Sequence, residues 1–176
     1  MTSLMLVTLS IAIAGAAVDG AAQSPYAGEE SRSIKALSEA EIASYLEGNG
    51  MGYAKAAELN SYPGPKHVLE LAGELGLSND QLTQTRELFE QMQMEAKRLG
   101  ELLIEQERKL DRLFATGAIT SPVLENRTAE IALLEAQIRY THLNTHLAQK
   151  LLLSANQIEQ YDALRGYLHG GHHRDH

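Results

Sequence analysis

Between Leu82 and Leu113 apolar residues return at alternating steps of three and four: Leu82, Phe89, Met92, Ala96, Leu99, Leu103, Leu110 and Leu113, interrupted only by Thr85 and Gln106. That spacing marks one face of an α-helix. The pattern predicts a single amphipathic helix from Asn79 to about Ala115, stopped by Gly117, and at 1.5 Å per residue it extends about 55 Å. Ser121 and Pro122 then restart a helix, Ser as cap and Pro at the first helical position, where its missing N–H costs nothing. Leu124, Ile131, Leu134, Ile138, Ala148 and Leu152 supply its core stripe. The short connection around Gly117 makes the two helices antiparallel neighbours, a long αα-hairpin.

Three helix starts announce themselves through one device. Leu37-Ser38-Glu39-Ala40-Glu41-Ile42, Leu77-Ser78-Asn79-Asp80-Gln81-Leu82 and Leu153-Ser154-Ala155-Asn156-Gln157-Ile158 each place a Ser cap three residues before Glu or Gln, inside an apolar staple. The third opens a shorter helix with Ile158, Tyr161, Leu164 and Leu168 on one side. Residues 52–60 read as a helix broken by Ser61-Tyr62-Pro63-Gly64-Pro65, and residues 67–75 as another ended by Gly76. No stretch sustains a period of two. The expected fold class is all-α: a long antiparallel helical hairpin with shorter N- and C-terminal helices.

Residues 4–17 are apolar and give way to Gly20, Ala21 and Ala22. The run is shorter than the roughly 20 residues a spanning helix needs, and its small residues suit a signal peptidase, so residues 1–22 read as a signal peptide cleaved near Ala22. Met1-Thr2-Ser3 lacks the usual basic residue, which points to a start farther upstream or to a miscalled start. Residues 23–36 have no apolar period and read as a disordered leader, residues 37–168 as the helical domain, and residues 169–176 as a flexible His-rich tail.

The formal charge is −8, and −7 remains after Ala22 because Asp19 is the one charged group before it. An acidic chain lacks the basic face that nucleic-acid binding requires. The absence of cysteine removes disulfides, thiolate nucleophiles and Cys-type zinc sites. Gly48-Asn49-Gly50-Met51-Gly52 follows no β-run and has the wrong spacing for a dinucleotide loop, which leaves a tight turn between helices. GxSxG, Walker A and HExxH patterns are missing, and an enzyme is not expected.

His142 and His146 stand four apart on the second long helix, so both imidazoles project from one side and can share a metal ion. Two ligands leave a divalent ion short; His67, Glu70, Met92 and Met94 are the candidates to complete the shell. The tail adds His169, His172, His173 and His176 on a glycine-containing strand that can wrap nickel, cobalt, copper or zinc.

With its export signal, hairpin and two Leu-Ser-x-x-Gln boxes, at Leu77 to Gln81 and Leu153 to Gln157, the chain resembles the Spy/CpxP family of periplasmic LTxxQ-motif proteins. Ser replaces Thr and keeps the capping hydroxyl. Gly50-Met51-Gly52, Glu58-Leu59-Asn60, Tyr62-Pro63-Gly64-Pro65 and His67-Val68-Leu69-Glu70 resemble a branch labelled periplasmic heavy-metal sensors or refolding chaperones. The resemblance implies a dimeric helical cradle that holds unfolded or envelope proteins, or restrains a sensor kinase in a stress response, without stable membrane insertion. It carries over residue by residue only to Ser78, Gln81, Ser154 and Gln157. The net charge of −7 departs from the basic concave surface of the chaperone members. The alternative reading is a periplasmic sensor or scavenger of nickel, cobalt, copper or zinc. A purely structural coiled coil is the third.

Overall fold

The computed structural model describes residues 24–167. The expected signal peptide and His-rich tail lie outside them. The chain divides into two units, Met1–Glu30 and Ser31–His176. The described part of the first holds local turns, such as Ala27 N–H to the Ser24 carbonyl at 3.0 Å and Gly28 N–H to the Glu30 carboxylate at 2.7 Å.

The second unit carries six helices among the described residues: α1 (Glu39–Glu47), α2 (Lys55–Glu58), α3 (Pro65–Glu70), α4 (Asn79–Ala115), α5 (Ser121–Leu152) and α6 (Ala155–Leu164). No strand occurs among them; Ile34 and Leu37 form one isolated bridge. The fold is all-α, and α4 and α5 pack along their length as the expected hairpin. None of the described helices is long and apolar enough to cross a membrane.

All three boxes close as capping boxes. Ser38, Ser78 and Ser154 accept from the N–H groups of Glu41, Gln81 and Gln157, whose side chains in turn accept from the N–H of the Ser. The fourth long-helix start is corrected: Thr120 is the N-cap of α5, without a side-chain cap bond, and Ser121 is already helical. Pro122 still sits in the first turn, where no N–H is needed.

The shorter elements also shift. Residues 52–60 hold only the four-residue α2, because Gly48, Met51 and Gly52 adopt left-handed φ of 69°, 44° and 83° and spend the preceding residues on turns. Helix α3 starts two residues earlier than expected, since Pro65 fits a first helical turn, and residues 71–76 are turns.

The leader is corrected from Ser31 onward. Ile34 is wholly buried in a cluster with Leu37, Tyr45, Leu99, Leu103, Ile104, Ile131 and Ile138. Asp111 accepts from the Lys35 N–H at 3.2 Å and lies 3.6 Å from its ammonium. One isolated apolar residue leaves no periodic signal, yet burying an Ile side chain contributes about 1.5–3 kcal/mol. A second cluster, Val68, Leu75, Leu153 and Tyr161, joins α3 and α6 at the other end of the hairpin.

Between the clusters the hairpin seam turns polar. Helix α5 buries Ile131 and Ile138, then His142, Thr145, His146 and Gln149. The stripe read from the sequence is therefore corrected at both ends: Leu124 is exposed, and beyond Ile138 Ala148 and Leu152 are half-buried. Thr85, which interrupts the α4 stripe, is wholly buried and accepts from Gln149 Nε2 at 3.1 Å.

Helix α1 crosses α4 at Gly100, where an added Cβ would lie 2.5 Å from the Tyr45 carbonyl oxygen. A backbone atom cannot rotate aside, so Gly100→Ala must push α1 off α4. Overpacking of about 1–3 kcal/mol opposes a helix-propensity gain of about 1 kcal/mol. The variant is expected to melt several degrees below the wild type in a thermal scan, and an equal or higher melting temperature would contradict the close crossing.

Candidate functional site

The polar half of the α5 seam forms one wall of a cavity of about 690 Å³, large enough for a small ligand. Its other walls are the glycine turn at residues 48–52, α2 with Lys55 and Glu58, the start of α3, and Phe89, Met92 and Gln93 of α4. The glycines that resembled a phosphate loop thus serve as a wall. Gly50 brings the backbone past His142, where an added Cβ would stand 3.8 Å from its Nδ1.

His142 and His146, both expected at the site, line this cavity and are 3% and 8% exposed. They sit in the seam itself. His146 Nδ1 lies 2.7 Å from the Tyr62 carbonyl oxygen, which can only accept, so Nδ1 carries a proton and the lone pair of the neutral ring belongs to Nε2. Gly64 makes room for this ring: a Cβ there would fall 2.8 Å from His146 Cε1. The Tyr62-Pro63-Gly64-Pro65 break thus delivers a carbonyl to one His edge and a glycine to the other.

Glu58 organises the next layer. Its Oε1 accepts from Tyr161 at 2.5 Å and from Tyr167 at 3.0 Å, and lies 3.5 Å from Arg165 Nε; its Oε2 lies 3.7 Å from His146 Nδ1. Burial, and then the bond to Glu58, pushes the Tyr161 hydroxyl far above the ordinary phenol value. Tyr161 therefore stays a donor. Lys150 caps the Tyr62 ring with its ammonium 3.7 Å from the centroid, which steadies the segment carrying the carbonyl.

His142 is placed by stacking. Tyr53 lies parallel to it at 6.4 Å, and the Tyr53 hydroxyl meets that of Tyr45 at 3.1 Å. His142 Nε2 is buried without a hydrogen-bond partner. Burial, and then the nearby His146, lowers its pKa below the ordinary imidazole value.

The remaining candidates separate. Met92 is buried and lines the cavity, whereas Met94 is 69% exposed and is corrected out of the site. His67 stands at the rim with Nδ1 bound to Glu70 at 2.8 Å, a bond that holds the Glu70 carboxyl below its usual range. Among the described residues, no three His, Cys, Asp or Glu side chains converge as a metal site. His169, His172, His173 and His176 lie outside the described residues. Sequence reasoning missed Glu58, Tyr62, Gly64, Tyr161 and Tyr167. Glu58, Tyr62 and Gly64 stand in the motifs that carry the family resemblance, and Tyr161 on the apolar side of the third capped helix, but none was read as a site residue.

Compared with models of known protein families, with curated proteins and with solved structures, the chain matches none.

The lowered pKa of His142 gives acid sensitivity a sign. Above the ordinary value of 6.5 neither the folded nor the unfolded chain protonates this ring, and its full stability is present. As pH falls from there toward the depressed folded value, the unfolded chain takes up a proton that the folded chain resists, and stability is lost. The melting temperature is expected to fall over that window and to fall less in His142→Gln; equal acid sensitivity of the two chains would remove His142 as the cause.

Proposed function

We propose that the chain is an exported, non-enzymatic helical protein of Spy/CpxP type that holds non-native polypeptide along its hairpin in the periplasm. One observation carries the reading: Leu133, Tyr140, Leu147 and Leu151 are between 53% and 86% exposed on α5. Their steps of seven, seven and four keep them on one side of the helix, over roughly 27 Å at 1.5 Å per residue. Exposed apolar stripes of this kind mark interaction surfaces. Its long, open form suits extended apolar segments of a client, because leucine contacts adapt to many sequences. The two paired Leu-Ser-x-x-Gln boxes support the likeness to the LTxxQ proteins, as does the hairpin they bracket.

Capture by this stripe rests on apolar burial. The acidic net charge supplies no basic cradle, so holding is expected to change little between low salt and roughly 0.5 M NaCl, where charge contacts are screened. At equimolar ratio the protein is expected to suppress aggregation of a chemically denatured client, read by light scattering. The triple variant Leu133→Ser, Leu147→Ser, Leu151→Ser should lose most of that protection while keeping its helical circular dichroism, since exposed substitutions seldom cost more than about 0.5 kcal/mol each. Wild-type protein that leaves aggregation untouched ends the reading, and so does a triple variant that protects equally well. Sedimentation of both chains shows whether the stripe is instead covered by a second copy.

A further inference from the structure

We propose that the cavity beside residues 48–52 binds one monovalent copper ion through His142, His146 and the thioether of Met92. The two imidazoles share one face of α5, line the same cavity and are almost wholly buried. Each is prepared to give a lone pair. His146 donates Nδ1–H to the Tyr62 carbonyl, the backbone partner that orients ligating histidines and leaves Nε2 for the ion. His142 has a buried Nε2 without any partner, an orphan that a bound cation would satisfy.

The third donor comes from across the seam. The bonds Gln149 to Thr85 and Arg127 to Gln106 fix the antiparallel register of α5 on α4, and that register sets Met92 opposite His142. Met92 is 8% exposed and lines the cavity. The donor set decides the ion. A hard or borderline divalent cation requires further His or carboxylate ligands, and no such trio converges among the described residues. Glu58, the nearest carboxylate, already accepts from two tyrosines on one oxygen and turns the other toward His146 Nδ1, the edge away from the free nitrogen. Two neutral imidazoles and a thioether are a soft, uncharged set, which selects copper in its monovalent state.

The test uses the full chain with His169, His172, His173 and His176 replaced by Ala, so that the tail contributes nothing. Monovalent copper is titrated under anaerobic, reducing conditions against bicinchoninate, with X-ray absorption on the loaded protein. One equivalent is expected to bind, with a copper–sulfur scattering path and a raised melting temperature. Met92→Leu, nearly equal in volume, should leave the unliganded melting temperature close to that of the parent, weaken copper binding at least about tenfold and abolish the sulfur path. His142→Gln should weaken it comparably. A tail-substituted chain that cannot compete with the chelator overturns the proposal. Unchanged affinity in Met92→Leu overturns it too, as does tighter binding of zinc or nickel than of copper. Client holding does not depend on this site, so protection without copper binding removes this proposal alone.

Discussion

Gln81 and Gln157 hold the structure together at one point. Each is the third residue of its helix, and its Oε1 accepts from the N–H of its own Ser cap, at 3.0 Å from Ser78 and 2.9 Å from Ser154. A capping box so formed leaves the amide Nε2 unused. Here the two amides are neighbours, and each Nε2 donates to the other's Oε1, at 2.9 and 3.1 Å. Gln81 also donates to the Leu152 carbonyl and Gln157 to the Leu75 carbonyl. The start of α4, the end of α5 and the start of α6 are thereby tied through one satisfied polar knot. The first box, which caps α1 and meets no other box, uses Glu41. A carboxylate serves a solitary cap, but two of them face to face would repel and would lack the donors that reach the carbonyls.

From that knot the seam runs as a sequence of layers. Gln149 and Thr85 come next, then the His142 and Met92 level, and only beyond it the apolar packing of Leu99, Leu103, Ile131 and Ile138. Buried polar groups are tolerated when they are paired: Gln149 Nε2 reaches Thr85, whereas Gln149 Oε1 and His142 Nε2 stay without a hydrogen-bond partner. Helix α5 gives its inner face to amides and imidazoles there, while leucines at 133, 147 and 151 stand outside. Its apolar residues lie on two sides, so its amphipathic pattern is weak although its packing is specific.

This division explains what could be read from the chain alone. Helix α4 was legible to the residue, because one face is apolar at every turn but two and both ends carry local signals. The capping boxes were legible because their bonds span three residues. Helix α5 was legible as a helix but not in its inner face: residue identity suggested Ala148 and Leu152, whereas the continuing period from Ile138 runs through His142, Thr145 and Gln149. The His pair could be found from its spacing. Glu58, Tyr161 and Tyr167 could not, since a bond spanning about a hundred residues leaves no local trace. Ile34 escaped for the same reason.

The cavity and the outer stripe are two faces of the same helical turns. Leu147 follows His146 directly, and Tyr140 stands two residues before His142, so the backbone that sets the rings also sets the exposed apolar residues. The inner face is held by few contacts: the Tyr62 carbonyl on His146, Tyr53 over His142, and Glu58 between α2 and the tyrosines of the C-terminal segment. Three of these partners lie on the segment from Gly48 to Gly64, which is built from turns and four helical residues. A ligand that bridges α4 and α5 at this level would add a direct tie where the seam now relies on a loop, and stabilisation by binding would fall on the turns that carry the stripe. The polar half of the seam is therefore the part of the hairpin whose packing a small ligand can most readily change. Its apolar half is closed by Leu99, Leu103, Ile131 and Ile138, which pack as one buried cluster.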